Sequence, residues 1–133
     1  MLDKQKVSLA QYRLEKAKET YMTAFENLAN SKFLDANNRA YYSIFHSMRA
    51  VLALDGVDFK KHTGVISYFR EKYIKTSIFD VKYSDIIGKA SIIRGKSDYE
   101  DFYIASKDEA QEQAGNAKIF YEAIEKFINS HTE

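Results

Sequence analysis

Cysteine and proline are absent from this 133-residue chain, and glycine occurs only five times. Without cysteine there is no disulfide, no thiolate nucleophile and no cysteine-ligated zinc or iron–sulfur site, and the redox compartment stays open. Without proline, and with so little glycine, the chain lacks turn punctuation, which favours long helices. An excess of one charge is missing as well: 20 basic against 19 acidic residues leave a net charge of +1. Nothing global therefore draws the chain to nucleic acid or to a membrane, and any such partner must be held by a local patch. No apolar run approaches the roughly 20 residues of a membrane span, and the opening stretch MLDKQKVSLAQYRLEK carries no apolar core of a signal peptide. A cytoplasmic protein with no membrane partner is the expectation. The length suits a single domain over residues 1–133, large enough to enclose a core without covalent or metal staples.

What is present is apolar periodicity at steps of three and four. A first helix is expected from about Ser8 to Leu28, where Ser8 and Gln11 have capping-box spacing and Leu14, Ala17, Tyr21, Phe25 and Leu28 mark one face. Asn30 and Ser31 interrupt it. A second helix runs from about Phe33 to Leu54 and stops at Asp55-Gly56. A third, shorter one starts at Thr63 and turns Ile66, Phe69 and Tyr73 inward. A fourth begins near Asp80 with Tyr83, Ile86, Ile87, Ala90 and Ile93, and is expected to end at Gly95. After a polar and aromatic connection over residues 95–105, Ser106 and Glu109 form a second capping box for a last helix with Ala110, Ala114, Ala117, Tyr121, Ile124 and Ile128 on one stripe. Short links between long amphipathic helices predict an all-α, up-and-down antiparallel bundle of four main helices plus one short helix.

The second helix is unusual. Charged residues make up 29% of the chain, yet between Ala36 and Leu54 only Arg39 and Arg49 are charged. A helix poor in charge all round is buried all round. Leu34, Tyr41, Phe45, Met48 and Leu52 fall on the side expected to face the core, and Arg39 and His46 fall together on the other, within about 20° of each other. Their neighbours are small: Ser43, Ala50 and Ala53, with Ala40 and Ser47 at the edge and Tyr42 on the far flank. Small side chains let a second helix approach closely, so this face is expected to be an interface. A two-fold homodimer through the second helix would supply the partner; another helix of the same chain covering the face is the alternative.

Histidine exchanges protons near neutrality, and arginine grips phosphate oxygens as a permanent cation. The pair suits phosphodiester chemistry. With RNA as substrate, one imidazole deprotonates the ribose 2′-hydroxyl, a second protonates the leaving oxygen, and the guanidinium stabilises charge on phosphorus, with neither metal nor cofactor required. Two subunits would supply the two histidines. On composition alone, a purely structural role for the pair competes with this one.

The run Asn38-Arg39-Ala40-Tyr41-Tyr42-Ser43-Ile44-Phe45-His46 follows an amphipathic first helix containing Tyr12-Arg13-Leu14-Glu15-Lys16-Ala17. With the later segments His62-Thr63-Gly64-Val65-Ile66-Ser67 and Ser97-Asp98-Tyr99-Glu100-Asp101, it resembles the HEPN family (higher eukaryotes and prokaryotes nucleotide-binding domain) over nearly the whole chain, closest to its small stand-alone prokaryotic members. The resemblance implies a helical bundle that dimerises through the helix bearing an arginine, four to six intervening residues and a histidine, which here are Arg39 and His46. It also implies a metal-independent endoribonuclease, often a toxin of a toxin–antitoxin or defence system, frequently paired with a nucleotidyltransferase-fold antitoxin. Other members of the family are non-catalytic modules that bind nucleotide, RNA or a partner protein. Two positions depart from the active pattern. Ala40 stands where a polar residue is common in the ribonucleases, and Ser47-Met48 stand where some toxins carry a modifiable tyrosine two positions after the histidine.

Around this pair, Asn38, Tyr42 and Ser43 are the expected substrate contacts. Residues 60–75, with five lysines and arginines against Glu71, offer Lys60 and Lys61 as groups that steer a phosphate backbone, or else form a solvated face. His62 is a second histidine near the start of the third helix. Asp98, Glu100 and Asp101 lack histidine co-ligands and read as a solvated loop rather than a metal site, and Tyr99 among them is a candidate for the interface.

Overall fold

The computed structural model describes residues 3–133. Five helices follow one another: α1 (Lys4–Ala29), α2 (Phe33–Asp55), α3 (His62–Phe69), α4 (Val81–Tyr99) and α5 (Lys107–Thr132), with no strand among the described residues. A π-helical turn, Arg70–Ile74, prolongs α3.

Local chemistry accounts for the ends. The Asp3 carboxylate caps α1 by accepting from the Gln5 N–H at 2.8 Å, so the helix starts ahead of the expected Ser8. Ser8 and Gln11 are exposed residues inside it; an aspartate caps as well as a serine, and nothing between Lys4 and Val7 breaks a helix. Ser31 takes the left-handed turn to α2 at φ 59°. Gly56 closes α2 at φ 73°, with the Val57 N–H donating to the Leu52 carbonyl at 3.1 Å. Helix α3 begins at His62, one residue before the expected Thr63. Asp80 caps α4 through the Lys82 N–H, and Ser106 caps α5 through the Glu109 N–H at 3.1 Å.

Gly95 does not end α4, which continues to Tyr99. A lone glycine costs a helix about 1 kcal/mol. The last turn is supported by the Arg94–Asp98 pair at 3.5 Å and by the Ser97 hydroxyl, which donates to the Ile93 carbonyl.

Helix α2 is the centre of the bundle and touches the other four helices. Tyr41, Ile44, Phe45, Met48, Val51 and Leu52 pack with Val65 and Phe69 of α3, Ile87 and Ala90 of α4, and Phe120, Ile124 and Ile128 of α5. Leu34, expected on this core side, is 45% exposed in the first turn of α2.

The small-residue face of α2 is covered by α1 of the same chain. Ala36, Ala40, Ser43, Ser47 and Ala50 are fully buried, as are Ala10, Ala17 and Ala24 of α1. The Ser43 hydroxyl donates to the Ala17 carbonyl at 2.7 Å, a distance that requires the two backbones to approach closely. Helix α1 thus buries its alanines, with Leu14 and Thr20, more deeply than the expected Tyr21, Phe25 and Leu28. The interface inferred from these small residues is an intrachain one.

Such a seam tolerates no added bulk. Ser43→Leu is expected to lower the unfolding free energy by about 3 kcal/mol through overpacking, and Ser43→Ala by only about 1 kcal/mol through loss of one hydrogen bond. Urea unfolding measures both, and equal stability of Ser43→Leu and the parent would mean that α1 does not cover this face.

Candidate functional site

With one flank of α2 against α1 and another in the core, a narrow strip stays partly open. It carries Asn38, Arg39, Tyr42, His46 and Arg49, at the three- and four-residue steps of one helical stripe. The Arg39 guanidinium is held by the Asn38 side-chain carbonyl, which accepts from Nη2 at 2.8 Å and from Nε at 3.2 Å. It lies 5.2 Å from the Tyr42 ring centre, and the Tyr42 ring lies 6.3 Å from that of His46. Tyr42 therefore fills the space between the two. Ser43 faces the α1 seam and has no exposed surface, so its hydroxyl belongs to packing. Ala40, too, is fully buried.

Both walls of the strip add cations. On the α1 side, Arg13 donates from Nη1 to the Arg49 carbonyl at 3.0 Å and from Nη2 to the Asp58 carboxylate at 3.2 Å. Arg49 donates to the same Asp58 oxygen at 2.8 Å. Burial opposes ionisation of Asp58, but the hydrogen bonds from Arg49 and from the Phe59 N–H outweigh it and hold its carboxyl below the usual range. On the α3 and α4 side, the Arg94 guanidinium lies 4.8 Å from the Tyr41 ring centre and 5.6 Å from that of Tyr42.

His46 sits among these groups and is pushed down to about 4. Burial is the largest cause, followed by the positive charges of Lys16, Arg49, Arg39 and Arg13. At neutral pH it is therefore an uncharged imidazole able to accept a proton. An anion placed among these cations would raise the histidine's proton affinity again.

His62 is the second histidine of the region. Its Nδ1 lies 2.8 Å from the Tyr41 hydroxyl and 3.2 Å from Arg94 Nη1. Arginine can only donate, so Nδ1 is an acceptor and the ring proton resides on Nε2. Burial, with Arg94 and Arg49, lowers the pKa of this ring. Lys60 and Lys61 are exposed in the turn leading into α3. Asp98 pairs with Arg94, and among the described residues no three histidine, aspartate or glutamate side chains converge as a metal site. Tyr99 is 87% exposed at the end of α4.

Arg13, Lys16, Arg49 and Arg94 were not singled out by sequence reasoning. Arg49 had a signal, since it follows His46 by three residues on the same stripe of a helix nearly free of charge. Arg13 and Lys16 stood only within the first-helix segment that carries the family resemblance, with no role attached, and the α1–α2 packing brings them to the strip.

A sequence model of the HEPN domain matches residues 10–127, and the chain belongs to that family. It is 36% identical over 118 residues to a Methanocaldococcus jannaschii protein named "Putative toxin", covering 88% of this chain and 80% of that one. A second M. jannaschii protein with the same designation is 33% identical over 115 residues, or 86% and 85% of the two chains. A Thermotoga maritima protein named "UPF0332 protein" is 27% identical over 124 residues, covering 93% and 94%.

The depressed pKa of His46 makes stability depend on pH. A group whose folded pKa lies below its unfolded value of about 6.5 contributes stability above that value and loses it as pH falls toward the folded pKa, here about 4. His46→Asn is expected to lose less stability than the parent between those limits. Parallel urea titrations at the two ends of the window test this, and identical losses would mean that His46 titrates normally.

Proposed function

We propose that this protein is a dimeric, metal-independent endoribonuclease of the toxin type, with His46 as the proton-transfer group and Arg39 as the phosphate stabiliser. The observation that carries the reading is the open strip of α2, where Arg39, Tyr42, His46 and Arg49 line up beside Arg13 and Lys16. Membership of the HEPN family and the toxin designation of two relatives support it.

In the proposed reaction, neutral His46 takes the proton of a ribose 2′-hydroxyl. The freed oxygen attacks the adjacent phosphorus, and the bond to the 5′-oxygen breaks, leaving a 2′,3′-cyclic phosphate. The departing oxygen takes its proton from a protonated imidazole, His46 of the partner subunit in a two-fold assembly through α2. The charge of the bound phosphodiester offsets the surrounding cations enough for the two imidazoles to hold one proton between them, the other staying neutral as the base. Arg39, steadied by Asn38, bears on the charge that develops on the non-bridging oxygens. Lys60 and Lys61 attract the backbone beyond the cleaved bond. The proposed setting is the cytoplasm, with a nucleotidyltransferase-fold antitoxin as the partner that silences the activity.

A second reading has its own observation. Ala40 follows Arg39 where active members commonly carry a polar residue, which favours a non-catalytic module that holds RNA, a nucleotide or a partner protein through the same cations.

RNA cleavage in excess chelator separates the two. The parent is expected to cleave, and His46→Ala and Arg39→Ala to lose at least about 100-fold, the ordinary contribution of a positioned acid–base group, with a mass in solution twice that of one chain. Equal cleavage by all three proteins would overturn the catalytic reading. A parent that binds RNA through Arg39 without cutting any of a varied set would establish the second, and a monomer at micromolar concentration would overturn the two-subunit site.

A further inference from the structure

Beside the strip lies a pocket of about 430 Å³ lined by Phe45, Arg49, Asp58, Phe59, Lys60 and His62. We infer that this pocket is a nucleobase subsite, receiving a base next to the phosphate held at Arg39 and His46. The inference rests on that phosphate reading and extends it by giving the site a second, uncharged half.

The pocket has the parts that base recognition needs. Its walls are aromatic: the His62 ring stacks on Phe45 at 4.1 Å with 23° between planes, and Phe59 leaves 41% of its surface exposed. Flat, partly exposed rings hold bases by stacking. Gly64 seats Phe59, since a Cβ at that glycine would lie 2.9 Å from Phe59 Cβ. The glycine lets the start of α3 close against the ring and fix its plane.

The polar groups at the pocket are mostly donors. His62 keeps its proton on Nε2, because Nδ1 is engaged by Tyr41 and Arg94. Lys60 forms no ion pair among the described residues. The one acceptor, Asp58, is already shared by Arg13, Arg49 and the Phe59 N–H. Such a pocket prefers a base edge that offers carbonyl or ring-nitrogen acceptors. On α2, Phe45 precedes His46 and Arg49 lies one turn further, while Asp58, Phe59, Lys60 and His62 close the other side, so the pocket adjoins the strip at its His46 end.

The test compares adenosine 5′-monophosphate with ribose 5-phosphate, titrated into the full-length protein and followed by amide chemical shifts. The parent is expected to bind the nucleotide about 10-fold more tightly, the affinity ratio of a single base stack. Phe59→Ala should remove that advantage while leaving ribose 5-phosphate affinity unchanged, and Phe59→Tyr should keep it. Because Phe59 is half-exposed, its truncation spares the core, and the melting temperature reports any unfolding. Arg39→Ala should weaken both ligands equally. If Phe59→Ala weakens both ligands alike or neither, or if the nucleotide fails to bind up to millimolar concentration, the subsite is overturned. If Phe59→Ala is selective but Arg39→Ala changes nothing, the subsite stands and the phosphate reading of Arg39 falls.

Discussion

The close approach of α1 to α2 is the contact on which the rest of the molecule depends. Ala10, Ala17 and Ala24 of α1 and Ala36, Ala40, Ser43, Ser47 and Ala50 of α2 are fully buried, and the Ser43 hydroxyl ties the two helices together at the Ala17 carbonyl. With that flank of α2 closed, and Phe45, Met48 and Leu52 held in the core, the helix has one rotational setting. In that setting the stripe from Asn38 to Arg49 remains partly open along the middle of the helix. The same contact carries Arg13 and Lys16 to the edge of the stripe, so packing and electrostatics have a common origin.

The electrostatic consequence concerns His46. A partly buried imidazole beside four cations gives up its proton readily, and nothing on the strip offsets that charge except Asp58, itself engaged with Arg13 and Arg49. Keeping several positive groups together costs folding free energy that a bound anion recovers. Structural arginines ordinarily meet carboxylates, whereas Arg39 is held by a neutral amide and makes no ion pair among the described residues. The aromatic rings extend the arrangement beyond the cations: Tyr42 lies between Arg39 and His46, and Phe45 and His62 line the neighbouring pocket.

Much of the fold was legible from periodicity, because the apolar stripes of α4 and α5 are regular. All six residues expected inward on α5 are buried, as are Phe69 and Tyr73 of the third helical segment. The start of α1 and the end of α4 were less legible: a capping aspartate outweighed a capping box further on, and a local ion pair carried the helix past a glycine. Arg39 and His46 were visible because they interrupt a helix with hardly any other charge. What covers their small neighbours was not, since small residues invite close approach without saying from where; α1 takes that place, and Ser43 moves from the site into the seam. The pairing of Tyr41 with His62 and Arg94 depends on three separate helices, and no local pattern announces it.

If the strip around His46 receives an anion, titration of its imidazole by NMR, with and without inorganic phosphate, reads that directly. The expected resonance titrates near 4 in the free protein, moves upward as phosphate is added, and does not respond to phosphate when Arg39 is replaced by alanine. A His46 that titrates near the ordinary histidine value of about 6.5 and ignores phosphate would contradict it.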